Sequence, residues 1–169
     1  AGPKVRAYYV LRHLAESHSV VLVSFSRSSD TPAAVNHLSE FCQAVHTHPM
    51  PRSRLRDAWH LLRSLGNGMP FLIARDWVPA MDALIDQQLD TADFDCIHAD
   101  QLWMAPYALR ARSHVAARKP NVPSLVLDQH NAVYMIPARM VEKERNPAKR
   151  ALMTLEAKKM ARYEATVCR

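Results

Sequence analysis

The chain has 169 residues, of which 49% are hydrophobic and 22% charged, the balance of a globular domain large enough for its own core. No apolar run approaches the roughly 20 residues a bilayer span requires, and no basic segment followed by an apolar core marks a signal peptide. The formal net charge is +6, but the basic residues are dispersed among acidic ones, as in Arg139-Met-Val-Glu-Lys-Glu-Arg145. Without a basic tract carrying interleaved aromatics, nucleic acid is not the expected partner; a phosphorylated ligand or an anionic membrane surface explains the charge at least as well.

In chain order, Gly2-Pro3 opens a helix whose apolar stripe is Ala7, Val10, Leu11 and Leu14. A glycine ahead of a helix lets a ligand reach the free amides there, which is where phosphates bind. Ser19 to Ser26 reads as a strand, Pro32 begins a short helix toward Phe41, and Gln43 to His48 reads as a short edge strand. His46 and His48 stand at strand spacing, but no carboxylate or third histidine is near in sequence to complete a metal site. Arg52 to Leu65 is a helix with Leu55, Ala58, Trp59 and Leu62 on one face, stopped by Gly66-Asn67-Gly68. Pro70 to Arg75 is either strand or irregular. Trp77, Met81, Leu84, Ile85 and Leu89 mark an amphipathic helix with a core-facing stripe.

Two later segments share one shape. Phe94 to Ala99 and Ser124 to Leu127 read as short buried strands, and each ends abruptly in polar residues: Asp100 and Gln101 after the first, Asp128, Gln129, His130 and Asn131 after the second. In open α/β sheets ligands sit at the carboxyl ends of the strands, where the loops leave. Leu102 begins a helix through about Arg118, Tyr134 to Glu144 is helical in part, and Asn146-Pro147 caps a helix that runs to about Thr166. The alternation of helix and strand predicts an α/β fold: one Rossmann-like domain over residues 1–169, a parallel sheet flanked by helices on both faces. Spaced-glycine dinucleotide fingerprints, P-loops and nucleophile elbows are absent. Cys42, Cys96 and Cys168 are widely spaced and are expected as free buried thiols.

Several of these segments resemble one family. Gly2-Pro-Lys-Val-Arg-Ala-Tyr-Tyr-Val-Leu-Arg-His-Leu-Ala15 is similar to the glycine loop and first helix of GT-B glycosyltransferases, family 4 in particular. Ser19 to Phe25 resembles their second strand. Phe94-Asp-Cys-Ile-His-Ala-Asp-Gln-Leu-Trp-Met-Ala-Pro-Tyr107 resembles their FDvvH strand and following helix, and Leu127-Asp-Gln-His-Asn131 the strand-end D-x-H-N segment of bacterial polysaccharide transferases. Asn146 to Glu164 is similar to the helix that follows. The resemblance implies the amino-terminal, acceptor-side half of a GT-B fold, a fragment inactive without its carboxyl-terminal domain. The implied activity is transfer of a sugar, with retention, from a nucleotide-diphosphate donor to a sugar or lipid-linked acceptor.

By the same resemblance His130 is the catalytic residue facing the reacting sugar. Gly2 lies near the donor phosphates, and the nearby basic side chains Lys4 and Arg6 would steady the leaving diphosphate. Asp100, Gln101 and Asn131 line the acceptor side. No metal and no further cofactor is required. The implied location is cytoplasmic, at the inner membrane face through peripheral contact. In the family a strand precedes the glycine loop; its loss would expose a sheet edge that invites homodimerisation. The alternatives are a sugar-nucleotide epimerase-like GT-B domain and a non-catalytic flavodoxin-like binding module.

Overall fold

A computed structural model describes residues 2–168. The protein is α/β and divides into two compact units: one extends to Pro51 and takes in Val78–Ile85, the other comprises Arg52–Trp77 and the chain from Asp86 onward.

The first unit holds helix α1 (Gly2–Ala15), strand β1 (Val21–Ser26), helix α2 (Pro32–Ser39) and strand β2 (Ala44–Pro49). β1 and β2 pair in parallel, Val21 opposite Ala44 through Ser26 opposite Pro49. Thr31 caps α2, its hydroxyl accepting from the Ala34 amide at 3.3 Å, and Pro32 supplies the first helical residue. The Tyr8 hydroxyl meets His37 Nε2 at 2.9 Å and ties α1 to α2.

The second unit contains helices α3 (Arg54–Gly66) and α4 (Phe71–Asp76), the end of α5 (Pro79–Thr91), strand β3 (Cys96–Asp100), a 3-10 turn at Leu102–Met104, α6 (Ala105–Ala116), β4 (Ser124–Asp128), α7 (Met135–Lys143) and α8 (Pro147–Val167). β3 and β4 are parallel, Cys96 opposite Ser124 through Asp100 opposite Asp128. The core gathers Ile73, Leu102, Ala105, Val133 and Met160, with Leu127, Tyr163 and Val167 packed against it. Leu102 lies just past the end of β3, and Val133 lies in the loop after β4. Both loops at the strand ends are therefore anchored in the core. Tyr107 is buried; it stacks on Trp77 and donates its hydroxyl to the Asp76 carbonyl at 2.8 Å.

The structure departs from the sequence reading in four places. The strands form two separate two-stranded sheets. One face of the β3–β4 pair is open: Cys96, His98, Ser124 and Val126 are all exposed, and they are register partners two by two. A strand alternates its side chains, so this leaves a whole face uncovered, while Ala99 is buried and Leu127 meets the core. The expected full burial of these strands gives way to half-burial. Second, the ambiguous segment at Phe71–Asp76 is a short helix. Third, only Cys42 is a buried thiol; Cys96 faces the open side of the sheet and Cys168 follows the end of α8.

The fourth departure is α3, which is inverted. Its apolar stripe faces solvent, with Leu55 85%, Trp59 63% and Leu62 65% exposed. Its polar side is the packed one. Ser64 is buried, its carbonyl accepts from the Lys159 ammonium, and the Arg56 guanidinium donates to the Trp77 carbonyl at 3.0 Å. No described helix is long and apolar enough to cross a membrane.

Candidate functional site at the ends of β3 and β4

The parallel register places Asp100 and Asp128 side by side at the carboxyl ends of their strands. Side-chain alternation puts both on the open face of the pair, in line with His98 and Val126. The Gln101 amide donates to the Asp128 carbonyl at 2.9 Å and fastens the two ends together.

Gln101 adopts φ 74 and ψ 159. It is the one described non-glycine residue with positive φ. This region is essentially reserved for glycine, and a side chain there costs on the order of 1–3 kcal/mol. The surroundings hold it: the hydrogen bond from its amide to the Asp128 carbonyl, a hydrogen bond from Trp103 Nε1 to the Gln101 side-chain oxygen at 2.8 Å, and the fully buried Leu102 next in the chain. Strain of this kind concentrates where a protein orients groups for function.

The loop after β4 brings His130 back over the strand ends. Its Nε2 lies 2.8 Å from Asp100 Oδ1 and 3.8 Å from Asp128 Oδ2. The His130 side chain is 7% exposed, against 37% for Asp100 and 16% for Asp128, so the cluster opens on the Asp100 side. Both ring nitrogens of His130 are buried and neither makes a hydrogen bond with any described residue. The short approach to Asp100 is thus not aligned along an N–H direction. One ligand atom from each of Asp100, Asp128 and His130 falls within 4.8 Å of the other two.

Helix α8 holds this loop through Glu164. Its carboxylate accepts from the Tyr134 amide at 2.9 Å, from the Val133 amide at 3.3 Å and from the Gln129 side-chain amide. Three donors on one buried carboxylate fix the backbone on both sides of His130.

Of the residues singled out in the sequence, Asp100, Gln101 and His130 come together here. Asn131 is exposed in the same loop, and its carbonyl accepts from Gln129 Nε2 at 2.9 Å. Gly2, Lys4 and Arg6 are exposed at the start of α1, in the other unit. A Cβ added at Gly2 would meet nothing within 4 Å, so packing does not demand glycine there. Asp128, at the polar tip of β4, also turns its carboxylate toward His130. Sequence reasoning missed Glu164 altogether, because a glutamate within a charged helix carries no sign of being buried. Comparison with protein-family models, with curated proteins and with solved structures gives no match to this chain.

Proposed function

We propose that this chain is the acceptor-side, Rossmann-like portion of a GT-B-type glycosyltransferase. It would act in transfer of a sugar from a nucleotide-diphosphate donor to a sugar or lipid-linked acceptor, with retention of configuration. The observation that supports it most is the convergence of two parallel strand ends, with a strained backbone between them, on one buried imidazole flanked by two carboxylates. That is the place and polarity at which α/β proteins handle polar ligands.

In the transfer, the bond from the sugar's anomeric carbon to the diphosphate oxygen breaks, a bond to the acceptor oxygen forms, and the acceptor hydroxyl's proton passes to the departing diphosphate oxygen. Asp100, the most accessible member of the cluster, is placed to accept a hydrogen bond from an acceptor hydroxyl. Gln101 and Asn131 line the same rim. His130 steadies charge at the reacting centre, and Gly2, Lys4 and Arg6 serve the donor diphosphate on the strength of the family resemblance.

The inverted helix α3 supports a membrane-side acceptor. A stripe of Leu55, Trp59 and Leu62 beside the exposed Arg54 and Arg63 has the chemistry of a helix lying in an anionic membrane interface.

The test is nucleoside diphosphate release by the full-length gene product against a panel of nucleotide sugars and lipid-linked or oligosaccharide acceptors. Acceptor-dependent release is expected, and His130→Ala should lower it by about two orders of magnitude or more with an unchanged circular dichroism spectrum. Wild-type turnover in that variant would remove His130 from the site; silence across the panel would remove the transferase reading.

A further inference from the structure

We propose that Asp100, Asp128 and His130 form a binding site for one divalent transition-metal ion. The three residues come from two strand ends and a loop, and the β3–β4 register brings them together, so their spacing in the chain gives no metal signature.

Two considerations carry the inference. The first is chemical. A buried imidazole set against two carboxylates, with neither nitrogen hydrogen-bonded, calls for a partner that the described residues do not supply. A cation answers both sides: it takes the Nε2 lone pair and offsets the charge of the paired carboxylates. Nδ1 then carries the ring proton, the tautomer a metal-bound histidine requires.

The second is geometric. Divalent ions bind nitrogen and carboxylate oxygen at about 2.1 Å, which sets neighbouring ligand atoms about 3.0 Å apart in an octahedron and about 3.4 Å apart in a tetrahedron. The two His130 contacts, 2.8 Å and 3.8 Å, bracket those values. The angle agrees as well. A hydrogen bond places the oxygen along the N–H axis, whereas an edge of a coordination polyhedron places it well off that axis. The His130–Asp100 approach is short and makes no hydrogen bond, as a coordination edge would.

The donor set narrows the ion. One imidazole and two carboxylates suit Mn²⁺, Fe²⁺, Co²⁺ or Zn²⁺ rather than Mg²⁺ or Ca²⁺, which take oxygen ligands, or Cu⁺, which takes sulfur. Three protein ligands leave coordination positions open. Asp100 is the exposed member, so those positions face solvent on its side and would take an oxygen of a phosphate or a hydroxyl.

The experiment uses untagged protein stripped with chelator, then titrated with MnCl₂ by the electron paramagnetic resonance of free Mn²⁺ and with ZnCl₂ by calorimetry. One saturable ion per chain is expected, with MgCl₂ and CaCl₂ competing poorly. His130→Ala and Asp100→Asn should each weaken binding by about tenfold or more, since changes to a metal's outer neighbours alone already cost that much. A His46→Ala, His48→Ala double variant should bind as wild type. If His130→Ala does not fold, Asp100→Asn, at a partly exposed position, is read in its place. A folded wild-type protein with no saturable Mn²⁺ or Zn²⁺ binding overturns the site, as does equal binding in wild type, Asp100→Asn and His130→Ala. The inference stands apart from the transferase reading. Ion binding without nucleotide release retires only the transferase, and nucleotide release by a protein that binds no ion retires only the metal.

Discussion

Asp100 and Asp128 are register partners, so strand pairing alone sets two carboxylates side by side at one rim. The fold sets the His130 imidazole against them and holds its loop from a distant helix. The site therefore depends on three separate devices: a β-register, a strained residue and a loop fastened by a buried glutamate. Each can be tested by itself.

Glu164 is expected to matter more for its hydrogen bonds than for its charge. Glu164→Ala leaves the Val133 and Tyr134 amides without their acceptor, at about 1–3 kcal/mol for each donor that stays buried. Urea unfolding should show a loss of about 2–4 kcal/mol for Glu164→Ala and a smaller loss for Glu164→Gln, which keeps one acceptor oxygen. Equal losses in the two variants would mean that the charge, not the acceptor geometry, holds the loop.

Gln101 offers a direct measure of stored strain. At φ 74 and ψ 159 glycine is at ease and alanine is not. Both substitutions delete the bond to Trp103, so their difference isolates the backbone. Gln101→Gly is expected to be more stable than Gln101→Ala by about 1 kcal/mol or more in thermal or urea unfolding. Alanine matching or exceeding glycine would show that the conformation costs nothing.

Asp76 gives a pH dependence with a definite sign. Burial pushes its carboxyl up, but hydrogen bonds from Arg75 and Arg52, at 2.7 Å each, more than offset this and hold it below the usual carboxylate range. A group whose folded value is depressed stabilises the fold above its unfolded value and loses that contribution as pH falls through the folded one. Stability should therefore decline below about pH 4. Asp76→Asn should be less stable by about 2 kcal/mol at neutral pH and show a flatter acid limb. An acid limb as steep as wild type would place the dependence elsewhere.

Helix α3 should bind membranes. Vesicles with anionic lipid are expected to sediment the protein, and neutral vesicles to do so less. Leu62→Asp removes about 1.5–3 kcal/mol of apolar contact, enough for a tenfold or greater loss of binding. Failure of wild-type protein to bind anionic vesicles would assign the stripe to another partner.

The sequence was a good guide to where elements lie and a poor one to what covers them. Asn146-Pro147 and Pro32 start helices because caps and proline act locally, and β3 and β4 were legible as apolar runs with polar tips. The stripe of Leu55, Trp59 and Leu62 was equally legible, but periodicity reports only that apolar residues are segregated. Which side packs was decided by polar groups: Arg56 donates to the Trp77 carbonyl and Lys159 to the carbonyl of buried Ser64. Gln101 could not be anticipated, since its conformation is one that glutamine rarely adopts. The meeting of Asp100 with His130 needed the β3–β4 register, a non-local fact.

The grip of α8 on the loop has a consequence for how the molecule opens. The amides of Val133 and Tyr134 are bonded to Glu164 and not to β4, so their protection from deuterium should follow the fraying of α8 and not the melting of the β3–β4 pair. The strands can thus persist while fraying at the end of α8 loosens the loop that carries the imidazole.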